Sequence, residues 1–256
     1  MGSMIGTWYA VHGSGEPLVY LHGGFSDARE LDRALEVYTA HFRVFTPERR
    51  GHGRTPDVDG PYSLPGFAAD TVAFLEEVVG GPADLVGYSA GATTALHVAL
   101  ERPDLVRRLV LISGQFHVEG LQAGLLDSPD AVAEIVASPL ATAYGELSPD
   151  GIEHFPVVVA KVVELARTGP TLAFEQLAEV AARTLVVSGD DDIVHLEHTL
   201  QLYRGIPNSE LAVVPGSSHL LVEEKPELVT RLVIDFLTID PVPTIAPIRR
   251  APRPGQ

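Results

Sequence analysis

Gly87-Tyr88-Ser89-Ala90-Gly91 decides the fold, because it follows the apolar run Asp84 to Tyr88 and opens the alanine-rich run Ala90 to Glu101. A strand that turns at once into a helix strains the backbone of the turning residue, so its neighbours must be small. Glycines at 87 and 91 supply that room. The Ser89 hydroxyl is then expected to stand out over the sheet edge, beside the free N–H groups and positive end of the following helix. That context reads as a nucleophile elbow rather than a Gly-Ser turn without chemistry.

A serine nucleophile needs a base, and the base needs an orienting group. Both occur downstream in that order. Thr184 to Ser188 reads as a buried strand running into Gly189-Asp190-Asp191-Asp192-Ile193-Val194, and Leu211 to Val214 as another, ended by Pro215-Gly216-Ser217-Ser218-His219. In an open parallel sheet ligands bind beyond the C-terminal ends of the strands, so Ser89, one of the three aspartates and His219 should share one crevice.

Further short apolar runs at Thr7 to Val11, Leu18 to His22, Arg43 to Thr46 and Arg108 to Ile112 read as strands. Helical patterns at Ala28 to His41, Leu64 to Val79, His195 to Arg204 and Glu224 to Leu237 alternate with them. The alternation implies an α/β fold with a doubly wound, mostly parallel sheet and helices on both faces. Residues 114–180 break the rhythm. They hold no clear strand and are interrupted at Pro129, Pro139, Pro149, Pro156 and Pro170, so they are expected to form a helical lid over the Ser89 crevice. Val158, Val159, Val162, Val163, Leu165 and Ala166 give one of these helices an apolar face. Phe25, Tyr88, Phe116, Leu121, Leu125 and Tyr144 are the expected lining of a mainly apolar pocket.

These motifs together resemble the α/β-hydrolase family, over nearly the whole chain from about Tyr9 to Leu237. Leu21-His22-Gly23-Gly24-Phe25 is similar to the family's oxyanion loop, and Glu48-Arg49-Arg50-Gly51-His52-Gly53-Arg54 to the turn after its fourth strand. Pro215 to His219, followed by Glu224-Lys225-Pro226-Glu227, looks like its histidine loop and last helix. The resemblance implies a core of residues 1–113 and 181–240, a lid at 114–180 inserted after the sixth family strand, and a Pro-rich, disordered tail at 241–256. It also implies a catalytic triad of Ser89, His219 and Asp192, the acid being the aspartate three residues beyond the glycine. The oxyanion donors would be the N–H of Ala90 and that of either Gly24 or Phe25.

The implied chemistry is acyl transfer to water on a small to medium, mainly apolar ester or lactone, with no cofactor and no metal. Branches that open epoxides or displace halide carry an aspartate where Ser89 stands. Ring-fission C–C hydrolases generally have tryptophan after the catalytic histidine, whereas Leu220 follows His219. Thioesterase and perhydrolase activities use the same triad, and a small-ligand-binding protein with residual hydrolysis is the alternative of another class.

Composition bounds the rest. At 256 residues with 45% hydrophobic content the chain can bury one substantial core. A formal net charge of −16 disfavours nucleic acid and anionic membranes as partners, Arg249-Arg250 being the one local exception. The absence of cysteine excludes disulfides and a thiolate nucleophile. Met1-Gly2-Ser3 reads as an added leader before Met4, and with no signal pattern or membrane span a cytoplasmic location is expected. Lys161 and Arg167 are the main cations of the lid and offer no clamp for phosphate or coenzyme A. His22 and His52 resemble structural histidines of the family, and His97 reads as a packed helix residue. His195 and His198 have a spacing seen in metal sites, but the intervening Glu197 would face elsewhere. For His117 and His154 both a pocket-lining and a solvated place stay open.

Overall fold

The computed structural model describes residues 6–124, 129–240 and 244–247. Seven strands form one sheet: β1 (Tyr9–Gly13), β2 (Glu16–Leu21), β3 (Phe42–Pro47), β4 (Ala83–Tyr88), β5 (Val106–Ile112), β6 (Arg183–Asp191) and β7 (Ser209–Ser218). Their order is β1-β3-β2-β4-β5-β6-β7, with β1 antiparallel to β3 and every other pair parallel. The helices are α1 (Leu35–Thr39), α2 (Leu64–Phe74), α3 (Ala90–Glu101), α4 (Pro129–Ala137), α5 (Pro139–Gly145), α6 (Phe155–Thr168), α7 (Leu196–Gly205), α8 (Leu221–Glu224) and α9 (Pro226–Thr238).

Both faces of the sheet are covered, which is why its strands read as unbroken apolar runs. Val19, Leu21, Leu85, Leu109 and Leu111 pack with Ala95 and Leu96 of α3 on one face. Leu18, Tyr20, Val86, Val110 and Ile112 pack with Val229 and Val233 of α9 on the other. The chain passes from β2 outward to β3 and then back across β2 to β4. The order therefore reverses between β2 and β4, and a crevice opens beyond their C-terminal ends.

Two helices differ from the sequence expectation. Ala28 to His41 is not one helix but a 3-10 turn, Ala28–Leu31, followed by α1. Glu30 in that turn accepts hydrogen bonds from the Tyr20 hydroxyl and the Gly23 N–H, which ties the turn to the end of β2. Glu224 to Leu237 is divided into α8 and α9 because Pro226 lacks an N–H and starts a new helix.

Between β5 and β6 the chain forms α4, α5 and α6 and a third apolar cluster, in which Phe155, Val158, Val159 and Val163 pack with Tyr62 and with Phe67 of α2. Leu125 and all but residues 244–247 of the tail lie outside the described residues.

At the start of α3 an added Cβ on Gly91 would run into the carbonyls of Leu21 and His22. Gly91→Ala should therefore destabilise the fold by about 1–3 kcal/mol through overpacking, despite alanine's better helix propensity. Urea unfolding checks this, and an unchanged or raised midpoint would refute it.

Candidate active site

Ser89 joins β4 to α3 with φ 53° and ψ −119°, a conformation rare for any residue with a side chain. The turn is held because the Ser89 N–H donates to the Ile112 carbonyl (2.8 Å) and the Ser89 carbonyl accepts the Thr93 N–H (3.1 Å). His219, just beyond β7, places Nε2 3.0 Å from Ser89 Oγ and Nδ1 2.7 Å from Asp192 Oδ1. A carboxylate facing Nδ1 fixes the proton there and leaves Nε2 free to accept the serine proton.

Of the three adjacent aspartates, Asp192 is the one against His219. Asp190 Oδ1 instead accepts the Ser217 N–H (3.0 Å) and so shapes the histidine loop, while Asp191 is exposed. Burial alone would raise the Asp192 carboxyl, but hydrogen bonds and charge from His219, the Ser113 hydroxyl and the Val194 N–H outweigh it and hold it below the usual carboxylate range. Ser113 stands just beyond β5 with φ 50° and donates to Asp192 Oδ2. The Tyr88 hydroxyl donates to the His219 carbonyl (2.7 Å), tying the end of β4 to the histidine loop.

The loop after β2 is fixed from beneath by Arg49, which is 8% exposed. Its guanidinium donates to the carbonyls of His22 and Gly23, and its N–H donates to His22 Nε2 (3.2 Å). Burial, then the Arg49 charge, lowers His22 well below its usual range, so its neutral ring donates from Nδ1 to the Gly23 carbonyl (2.9 Å). Burial likewise lowers His52 to about 4, and from the shorter contact its proton is assigned to Nε2, facing the Gly24 carbonyl (2.6 Å). A trans peptide points its N–H opposite to its carbonyl, so Arg49 and His52 turn the N–H groups of Gly24 and Phe25 the other way. Gly24 lies beside the elbow: a Cβ built on it would be 3.7 Å from the Ala90 Cβ. Ala90 opens α3, where a backbone N–H has no partner within the helix.

A cavity of about 310 Å³ opens over Ser89. Of the expected lining, Phe25, Tyr88 and Leu121 face it, as do Gly24 and Ala90, and α5 and α6 contribute Leu140, Val162, Leu165 and Ala166. Phe116 does not line it. Alternation along the chain turns Ser113 and Gln115 into the cavity and Phe116 away, where its ring stacks on His198 at 4.1 Å in a separate cavity. Tyr144 is also displaced from the expected lining, since its ring packs on Phe155 (5.2 Å) inside the third cluster. His198 Nε2 accepts the Phe116 N–H (3.1 Å), which removes it as a ligand atom, and burial first among other causes lowers that ring to about 4. Lys161 is bound to Asp57 (2.7 Å), as is His154 (2.8 Å). Arg49, Glu30 and Gln115 carry no sequence signal as single residues. Only the burial of these polar groups in the fold distinguishes them, although Arg49 belongs to the turn Glu48 to Arg54.

The Alpha/beta hydrolase family matches this chain over residues 18–232. The chain belongs to the alpha/beta hydrolase family. It is 27% identical over 92% of its length to a protein of Caulobacter segnis that bears the name carbamate hydrolase RutD, covering 98% of that protein. It is 24% identical over 91% of its length to the (E)-2-((N-methylformamido)methylene)succinate hydrolase of Acinetobacter baylyi, covering 94% of it. Among solved structures it resembles a chain from work on carboxylesterases of the ammonia-oxidizing Thaumarchaeon Nitrososphaera gargenis, with a TM-score of 0.76 and 24% identity over 91% of this chain and 94% of that one. At that identity the structural likeness shows the fold. Among the described residues no helix is long and apolar enough to cross a membrane.

Burial raises the Glu30 carboxyl to about 7, against the opposing hydrogen bonds from Gly23 and Tyr20. The folded state then binds more protons than the unfolded chain between the ordinary value of 4.5 and about 7, so Glu30 makes folding less favourable as pH rises through that window. The difference in unfolding free energy, native minus Glu30→Gln, should therefore fall from pH 4.5 to 7 and level off above it. A difference that is flat or rises across this window in denaturant titrations would count against this.

Proposed function

We propose that this protein is a serine hydrolase that cleaves a small to medium, mainly apolar carboxylic ester or lactone through an acyl-enzyme on Ser89. The observation that carries the reading is the hydrogen-bonded relay from Ser89 Oγ to His219 Nε2 (3.0 Å) and from His219 Nδ1 to Asp192 (2.7 Å), at the floor of a cavity walled largely by apolar side chains. Ser89 Oγ attacks the carbonyl carbon as its proton passes to His219 Nε2. The oxyanion settles against the N–H of Ala90 and that of Gly24 or Phe25, donors of a kind worth on the order of 10² to 10³ in rate. The C–O bond then breaks, and the leaving oxygen takes the proton from His219. Water, deprotonated by His219, attacks the acyl-enzyme and releases the acid and Ser89. In this reading the helices between β5 and β6 act as a lid that keeps bulk water from the acyl-enzyme.

The same steps would cleave a carbamate, the bond class in the name of the Caulobacter relative. A succinate derivative, as in the name of the Acinetobacter relative, is a poorer fit: no lysine or arginine lines the cavity among the described residues, whereas Glu30 and Glu223 do. An anionic substrate is disfavoured.

Hydrolysis of p-nitrophenyl acetate, butyrate and octanoate should fall by about 10³-fold or more in Ser89→Ala, and a fluorophosphonate should label Ser89. Asp192→Asn should retain labelling at a reduced rate and lose about 10³- to 10⁴-fold in kcat. No turnover and no label in folded native protein would instead support ligand binding without catalysis.

A further inference from the structure

Several polar groups in the wall of the Ser89 cavity are committed to the protein. The Tyr88 hydroxyl is given to the His219 carbonyl, the Ser113 hydroxyl to Asp192, and the Glu30 carboxylate receives Tyr20 and Gly23. Gln115 differs. It lines the cavity, is 8% exposed, and its Oε1 is buried without a hydrogen-bond partner. A buried carboxamide oxygen left unpaired has lost its hydration with nothing in return, and in a native fold such a group calls for an explanation.

The backbone around it is fixed. The Gln115 N–H donates to Thr93 Oγ1 (3.4 Å), and the Thr93 hydroxyl donates to the Gln115 carbonyl (3.2 Å). Gly114 lies so close to α3 that an added Cβ would stand 2.7 Å from the Ala92 Cβ. The side chain keeps its own freedom, since the terminal amide torsion is broad and turns either carboxamide atom towards the cavity. A carboxamide on a clamped segment in the wall of a largely apolar chamber is the arrangement by which binding sites fix orientation.

We propose that Gln115 is a specificity-determining residue that accepts a hydrogen bond from an uncharged N–H or O–H group in the acyl part of the substrate. This rests on the ester-hydrolase reading and narrows its substrate class from purely apolar acyl groups to those carrying one hydrogen-bond donor. The acyl part is assigned because Gln115 is anchored to the first turns of α3, on the Ser89 and Ala90 side. The leaving group must instead lie at His219, beside which Leu220 and, from α8, Glu223 stand in the wall. The group is uncharged because no lysine or arginine lines the cavity among the described residues to hold an anion, and a neutral carboxamide oxygen in a largely apolar wall does not repay the desolvation of an ammonium.

The test compares p-nitrophenyl esters that differ by N–H against CH₂: N-acetylglycine with 4-oxopentanoic acid and, one methylene longer, N-acetyl-β-alanine with 5-oxohexanoic acid. After division by spontaneous rates, native protein should favour the N–H member of at least one pair in kcat/KM by about 10-fold or more. Gln115→Met and Gln115→Leu should abolish that preference, and a cooperative urea transition shows that the variants fold. A native preference near one in both pairs overturns the proposal without any variant, and so does a preference that survives in the variants. If native protein turns over no ester at all, the hydrolase reading fails separately. Calorimetric binding of ethyl N-acetylglycinate against ethyl 4-oxopentanoate to Ser89→Ala, with and without Gln115→Met, then decides the role of Gln115 by the same roughly 10-fold criterion.

Discussion

The site depends on the close approach of the elbow to the end of β2. A Cβ on Gly87 would collide with the Gly91 backbone, and one on Gly91 with the carbonyls of Leu21 and His22. Three backbone segments thus meet where no side chain fits. That meeting brings the first N–H of α3 beside the loop after β2, and it forces Ser89 into the positive-φ half of backbone space with a φ of 53°. Strain of this kind costs of order 1–3 kcal/mol and persists only where the surroundings over-determine it. Here strands packed on both faces and the Ser89 N–H bond to Ile112 do so.

A carboxyl and a guanidinium hold the loop on the other side of the crevice. The Gly23 residue gives its N–H to Glu30 and its carbonyl to Arg49, so its two peptide groups are fixed from both directions. Burying an ionised group is costly unless hydrogen bonds replace its hydration. Arg49 is buried enough to be lowered to about 10, yet at that value it remains charged at neutral pH. Its bonds to two successive carbonyls turn the cost of burial into rigidity exactly where an oxyanion would need donors that do not reorganise.

The seven strands were legible because each is a short apolar run whose two faces are both covered, so pattern and environment agree. The positions of Ser89 and His219 were legible because a turn sequence at the end of such a strand has few conformations. Phe116 and Tyr144 depart from the expected cavity lining for a common reason. Apolarity marks a side chain for burial but does not say against which surface, and both found aromatic partners away from Ser89. Arg49, Glu30 and Gln115 were not singled out because a polar residue carries no sequence signal of its own burial. Their environment comes from segments far away in the chain, such as Gln115 against Thr93 and Arg49 against His22.

The division of labour in the cavity follows from its construction. Ser89, His219 and Asp192 stand on the rigid ends of β4, β7 and β6, tied across the sheet by the bonds of Tyr88 and Ser113. Val162, Leu165 and Leu140 come from helices that rest on Tyr62 and Phe67 through their own apolar cluster. A substitution in those helices can reshape the wall while the relay distances stay set by the sheet. Gln115 belongs to the rigid group by its backbone and to the wall by its side chain, so the proposed contact would couple what enters the cavity to the geometry at Ser89.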